Sequence, residues 1–158
     1  MSGYAQTKKS DGWETPDWLF NRLHSEFSFT LDCCASSDNT KCTRYYTVED
    51  NALTKSWSGE SVFLNPPYGV GIGLWTEKSL VETSKEDPAR VVVALLPVRT
   101  ENRYFYRDIL GRAEVRFIEK RLKFSNRILG MSGRSATFPS MVVIWGKRII
   151  PHCRPFFV

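Results

Sequence analysis

Four consecutive residues, Asn65-Pro66-Pro67-Tyr68, bring together a planar amide, two residues without backbone N–H donors and an aromatic ring, directly after the apolar run Ser61-Val62-Phe63-Leu64. The prolines fix φ and remove donors, so the turn is rigid and presents acceptors. The Asn65 side-chain carbonyl and the Pro66 main-chain carbonyl form a pair suited to both hydrogens of a planar amino group, while Tyr68 offers a platform for the ring that bears it. Hydrogen bonds of that kind draw the nitrogen toward tetrahedral geometry and free its lone pair to attack an electrophilic methyl group. Such a site needs no conventional acid or base and no metal.

Three further segments precede this turn in order. Thr15-Pro16 precedes the helical pattern Trp18, Leu19, Leu23; Leu31-Asp32-Cys33-Cys34-Ala35-Ser36 reads as a strand end followed by small residues; and Asp50-Asn51-Ala52-Leu53 places an acid beside two apolar side chains. Together with Asn-Pro-Pro-Tyr, in that order, they resemble the phage-type DNA N-6-adenine methyltransferases, which use S-adenosyl-L-methionine, and the resemblance covers roughly residues 13–146. The resemblance implies roles residue by residue. Asn65, Pro66, Pro67 and Tyr68 would be catalytic, with Asn65 also bordering the cofactor and Tyr68 also holding the target base. Thr15 and Pro16 would help hold the methionine end of the cofactor, Asp32 its amino group, and Cys34, Ala35 and Ser36 would form the loop beside it. Asp50 would accept from the cofactor adenine amine, with Ala52 and Leu53 packed on the ring. An adenine inside duplex DNA reaches such a pocket only by leaving the stack, at a cost of a few kcal/mol.

The fold implied is α/β, a minimised Rossmann-like class I methyltransferase with a mostly parallel central sheet and an antiparallel C-terminal strand. Larger relatives carry a glycine-rich turn after the first strand, whereas this chain has no glycine between Gly12 and Gly59. The cofactor loop must therefore be built from small side chains. Only seventeen residues separate Asp32 from Asp50, too few for a full helix and second strand, since a crossover takes a dozen or more residues including its helix. The acidic residue that normally binds the cofactor ribose has no counterpart in this stretch.

A length of 158 residues with 42% hydrophobic content suits one domain with one core, here residues 13–158 without a separate target-recognition domain, preceded by a flexible polar tail at 1–12. No apolar run approaches the roughly 18–20 residues of a membrane span, and the first residues lack a signal core; the expectation is a soluble protein of the cytoplasm, the host's if the chain is phage-encoded. The net charge of +5 favours a polyanionic partner, DNA. Between Arg99 and Arg134 lie ten basic residues against four acids. Arg99, Arg103, Arg121, Lys123, Arg127 and Arg134 are therefore the candidate phosphate contacts. The four cysteines do not make a disulfide framework for a cytoplasmic chain; Cys42, His152 and Cys153 are the one set with zinc-ligand chemistry, and Cys33 and Cys34 read as small residues beside the cofactor.

Periodicity completes the outline. A helix is expected from Pro16 to about Phe27, strands at 29–32, 45–47, 61–64, 91–97, 114–118, 121–124 and 141–145, and helices starting at Leu74 and around Tyr104 to Ile109. Gly69-Val70-Gly71-Ile72-Gly73 lacks the trailing glycine of a dinucleotide loop and the Lys-Ser/Thr of a P-loop, so it is expected to be a flexible turn that lets the catalytic loop close. Residues 126–135, with Gly130 and Gly133, read as a mobile loop, and sequence selectivity is expected either to come from loops such as this one or to be weak. The expected activity is methyl transfer to N6 of adenine in DNA, protecting phage or prophage DNA from restriction. Two other readings fit the residues: methylation of RNA adenine or of a glutamine side chain in the same pocket, and a catalytically silent nucleic-acid-binding module that keeps the fold.

Overall fold

The structure is a computed structural model that describes residues 14–126 and 130–158. Helix α1 runs Asp17–Phe27, with Asp17 in its first turn, where a carboxylate complements the exposed N–H groups. It ends at Ser28, whose left-handed backbone lets its N–H reach the His24 carbonyl at 2.8 Å. Its buried side chains Leu19, Phe20 and Leu23 recur at helical spacing and set one face on the sheet.

Seven strands make the central sheet: β1 (Leu31–Asp32), β2 (Arg44–Tyr45), β3 (Ser61–Leu64), β4 (Val91–Pro97), β5 (Glu114–Ile118), β8 (Ser140–Trp145) and β9 (His152–Phe156). Their order across the sheet is β2-β1-β3-β4-β8-β5-β9. All neighbours pair in parallel except β8, which runs antiparallel to both β4 and β5. The expected mostly parallel sheet with one reversed strand is thus the observed one. A separate ribbon is formed by β6 (Lys123–Asn126) and β7 (Met131–Ser135).

Strand β4 is buried on both faces, which explains its unbroken apolar sequence. Val91, Val93 and Leu95 pack with Phe63, Val142, Ile144 and helix α1, whereas Val92, Ala94 and Leu96 pack with Trp57, Val143, Trp145 and Ile72 of helix α2 (Ile72–Ser84). Each large apolar side chain so buried contributes roughly 1.5–3 kcal/mol.

Several expectations are corrected. The first strand is shorter than 29–32, although Thr30 N–H and Cys33 N–H extend its ladder to the Ser61 and Phe63 carbonyls; the second is Arg44–Tyr45. Helix α2 begins at Ile72, two residues earlier than expected, so Gly73 is inside the helix and packs on the Tyr104 side chain rather than forming a loose turn, and Gly71 is its buried N-cap. The helix expected near Tyr104 contains a π-helical turn, Phe105–Ile109, braced by Thr76 donating to Asp108 and by Trp145 Nε1–H donating to the Asp108 carbonyl. The strand expected at 121–124 is Lys123–Asn126 and pairs with β7, so the expected loop at 126–135 holds strand structure at 131–135. Strand β9 has no counterpart in the expected pattern. The tail at 1–12 and Arg127 lie outside the described residues.

Arg116, one of the ten basic residues between Arg99 and Arg134, is a structural cation. It is 3% exposed and forks onto both carboxylate oxygens of Glu26 at 2.6 Å while its Nε donates to Glu114, also at 2.6 Å. Arg154 reaches the same Glu114 oxygen at 2.8 Å. Burial works against the charged Glu114, but the two arginines outweigh it and hold its pKa below the usual carboxylate range. Removing one member of a buried ion pair leaves an uncompensated charge. We therefore expect Arg116→Ala to lower unfolding free energy by about 3 kcal/mol in urea titrations, while Arg121→Ala, on the exposed ribbon side, stays within about 0.5 kcal/mol of wild type.

Candidate active site

Parallel pairing of β1, β3 and β4 carries their carboxyl ends to one edge of the sheet, where open α/β sheets bind ligands. Asp32 ends β1, Asn65 follows β3, and Arg99 lies two residues beyond β4. In register Asp32 faces Phe63, and alternation puts Asn65 on the same face as Phe63 and Asp32. That is the face covered by α1.

The Asn65 amide is held by a residue fifty positions away. Its Nδ2 donates to Thr15 Oγ1 at 3.1 Å, and among the described residues no donor reaches its Oδ1. Thr15 is 4% exposed. Pro66 is buried and Pro67 half-buried, as the turn leaves the sheet. Tyr68 turns its hydroxyl inward, donating to the Leu95 carbonyl on β4 at 3.0 Å. Burial, reinforced by Tyr104, pushes the Tyr68 phenol far above its ordinary pKa, so it acts as a neutral ring and donor and not as a base.

The loop after β1 shows how a chain without glycine makes this turn. Asp32 accepts from Cys34 N–H at 3.3 Å and from Lys41 N–H at 3.1 Å, and Asn39 Oδ1 accepts from Ser36 N–H at 2.7 Å. Ala35 N–H donates to the Tyr46 carbonyl. No residue of the loop has positive φ, so nothing there requires glycine. Small side chains at Cys34, Ala35 and Ser36, all half-buried, leave room for the turn, but the side-chain acceptors Asp32 and Asn39 hold it together. Asp32 is 3% exposed; burial raises its carboxyl pKa, and the two N–H donors and the Lys41 charge only partly offset that.

Asp50 and its neighbours are anchored from below. Thr47 N–H and Thr47 Oγ1 both donate to Asp50 Oδ2, at 2.8 and 3.0 Å, and these bonds hold the exposed carboxylate below its usual pKa. A 3-10 turn follows at Ala52–Thr54. Trp57, fully buried, donates through Nε1 to the Ala52 carbonyl, and its N–H donates to Glu82 on α2. Ala52 is buried and Leu53 half-buried.

The basic candidates divide. Arg99, Arg103, Arg121 and Lys123 are exposed and follow the carboxyl ends of β4 and β5, on the same edge as Asn65. Of Arg134 only the backbone, on β7, is described. Arg107 instead pairs with Asp108 and Glu77, and Arg112 precedes β5 at the opposite edge. The zinc-type set is not assembled, since Cys42 precedes β2 at one side of the sheet while His152 and Cys153 lie on β9 at the other.

Sequence reasoning misses Phe138. Its ring meets the Tyr68 ring edge-on, centroids 5.4 Å apart, and Arg99 lies over it at 5.9 Å. An aromatic residue just before the buried strand β8, which starts at this edge, is the available signal. Two buried side-chain oxygens without a partner among the described residues, Tyr104 Oη and Ser140 Oγ, belong to segments at the same edge.

A mostly parallel sheet with one reversed strand is the architecture of a small methyltransferase fold. The chain belongs to the family described as DNA N-6-adenine-methyltransferase (Dam), whose profile matches residues 3–153. It is 31% identical over 150 residues to the DNA N-6-adenine-methyltransferase of Haemophilus phage HP1, covering 92% of this chain and 85% of that protein. A putative methyltransferase of Escherichia coli K12, YfdM, is 45% identical over 65 residues, 37% of this chain and 71% of its own length. The DNA N-6-adenine-methyltransferase of Escherichia phage T1 is 28% identical over 111 residues, which is 69% of this chain and 45% of the T1 protein.

Proposed function

We propose that this protein transfers a methyl group from S-adenosyl-L-methionine to the N6 amine of an adenine flipped out of DNA. The observation that carries the reading is the Asn65 amide, tied through Nδ2 to Thr15 with its carbonyl oxygen unengaged by any described residue, next to the Pro66 carbonyl. Two acceptors at a donor-poor turn suit an amine that must give up hydrogen bonds from both its hydrogens. Tyr68, with Phe138 against its ring, supports a stacking site for the base, and base–aromatic stacking contributes about 1–3 kcal/mol per base.

The residues at the carboxyl edge fit the cofactor. Asp32 is a desolvated carboxylate with raised pKa, and a ligand ammonium beside it would favour its charged form. Asp50 keeps one oxygen outside its Thr47 bonds and would accept from the adenine amine, with Ala52 and Leu53 against the ring. Thr15, Pro16, Cys34, Ala35 and Ser36 would border the methionine end. The cofactor, when bound, supplies an electrophilic methyl group on a cationic sulfur. The chain's own contribution is alignment and exclusion of water. Asn65 Oδ1 and the Pro66 carbonyl orient the amine, and Tyr68 holds the ring plane.

Arg99, Arg103, Arg121 and Lys123 ring the same edge and would track phosphates. Their placement favours a nucleic acid over a protein acceptor. We assign all chemistry to a single domain, with selectivity drawn from the β6–β7 ribbon. The relatives in phages HP1 and T1 support a use in marking DNA against restriction. Among the described residues no helix is long and apolar enough to cross a membrane.

Asn65→Ala should abolish turnover while cofactor affinity by calorimetry stays near wild type; near-normal turnover would remove Asn65 from catalysis. Cofactor affinity should fall as pH is lowered through the raised Asp32 pKa, because protonation removes the acceptor for the ammonium, and that fall should be absent in Asp32→Asn. A flat profile in the wild type would remove Asp32 from the cofactor site. Finally, Arg121→Ala/Lys123→Ala should weaken binding to matched and scrambled duplexes alike. The slope of log affinity against log salt should become shallower by about 0.9 for every duplex phosphate that the two side chains neutralise. Selective weakening on one sequence with an unchanged slope would mean base reading instead.

A further inference from the structure

An asparagine amide is nearly symmetric in shape but opposite in function at its two ends. Turned one way, Asn65 presents an acceptor to an incoming amine; turned the other, it presents two hydrogens and repels it. Something must hold the productive orientation, because backbone packing alone distinguishes the two poorly.

A threonine hydroxyl can accept from Nδ2 or donate to Oδ1, and here Thr15 accepts. Its Oγ1 accepts from Asn65 Nδ2 at 3.1 Å, and its own position is fixed on both sides. The preceding residue, Glu14, donates its backbone N–H to the Ser125 carbonyl of β6 at 2.9 Å, forming an isolated bridge to the ribbon. The following residue, Pro16, offers its carbonyl to Leu19 and Phe20 N–H at the start of α1, at 3.0 and 3.1 Å. The Thr15 hydroxyl is thus suspended between a helix end and the ribbon, buried against the one side chain that meets the amine. A role for Thr15 at the methionine end of the cofactor does not by itself account for this bond.

We propose that Thr15 is a positioning residue for Asn65: its hydroxyl oxygen holds Nδ2 and so turns Oδ1 toward the target amine. The proposal rests on the reading of Asn65 as the amine acceptor. It also places the brace for the catalytic amide one peptide unit from the ribbon proposed to face DNA.

The full chain carrying Thr15→Val, which keeps the shape and removes the acceptor, is compared with Thr15→Ser, which restores it. Turnover at saturating cofactor and DNA should fall about three- to tenfold in Thr15→Val, the scale of one net hydrogen bond, and recover in Thr15→Ser. The Asn65 side-chain amide resonances, assigned by their disappearance in Asn65→Asp, should move and exchange faster with water in Thr15→Val but not in Thr15→Ser. Unmoved amide resonances, or turnover at saturating cofactor within about twofold of wild type, would each overturn the proposal. The amide readout does not depend on activity. Activity of Asn65→Ala would instead refute the reading of Asn65 itself, whatever Thr15 does.

Discussion

Everything at the site depends on one constraint: β1, β3 and β4 pair in parallel, so three chain segments that never meet in sequence must all leave the sheet at one edge. Parallel strands need crossovers, and each crossover here starts at that edge. The loop from Cys33, the turn at Asn65 and the segment after Pro97 all begin there. The reversed strand β8 then enters at the same edge through Phe138 and Ser140, and the ribbon hangs from the end of β5. The clustering of acceptors, aromatic rings and cations is therefore a consequence of topology before it is a matter of side-chain chemistry.

Within that frame, main-chain donors are satisfied by side chains at the places where the usual backbone devices are missing. Asp32 and Asn39 stand in for a glycine turn, Asp50 and Thr47 close the next one, and Glu82, flanked by Lys78 and Lys85, holds Trp57 beneath the Ala52 turn. This allows the path from β1 to the Ala52 turn to run with no helix of its own, which explains how so short a span between Asp32 and Asp50 is sufficient. Burial makes the arrangement asymmetric in charge. Among the described residues Asp32, desolvated, has two backbone donors and one lysine nearby, whereas Glu114 on β5, further along the strand order, is compensated by two arginines.

Local signals carry the parts of the fold that local chemistry determines. The unbroken Val91–Pro97 run, the strand at 61–64 and the helix after Pro16 are legible because burial on one or both faces writes a period into the sequence. Strand β9 is not, since four of its five residues are exposed and it contains Pro155, a proline tolerated there because an edge strand leaves N–H positions unpaired. Of the ribbon, β7 reads as a loop because its glycine and polar residues carry no alternation. Asn65, Tyr68 and the exposed cations can be named from type and spacing. The Thr15–Asn65 bond and the Tyr68–Phe138 contact cannot, because they join residues 50 and 70 positions apart, and only the sheet order brings them together.

The central claim is that the acceptor pair at Asn65 and Pro66 receives the exocyclic amine of adenine in DNA. The most direct measurement incubates the protein with methyl-labelled S-adenosyl-L-methionine and duplex DNA, digests the product to nucleosides and identifies the labelled one. The account predicts label in N6-methyldeoxyadenosine alone. Label in a cytosine product, or transfer only to RNA or protein acceptors offered in parallel, would contradict it.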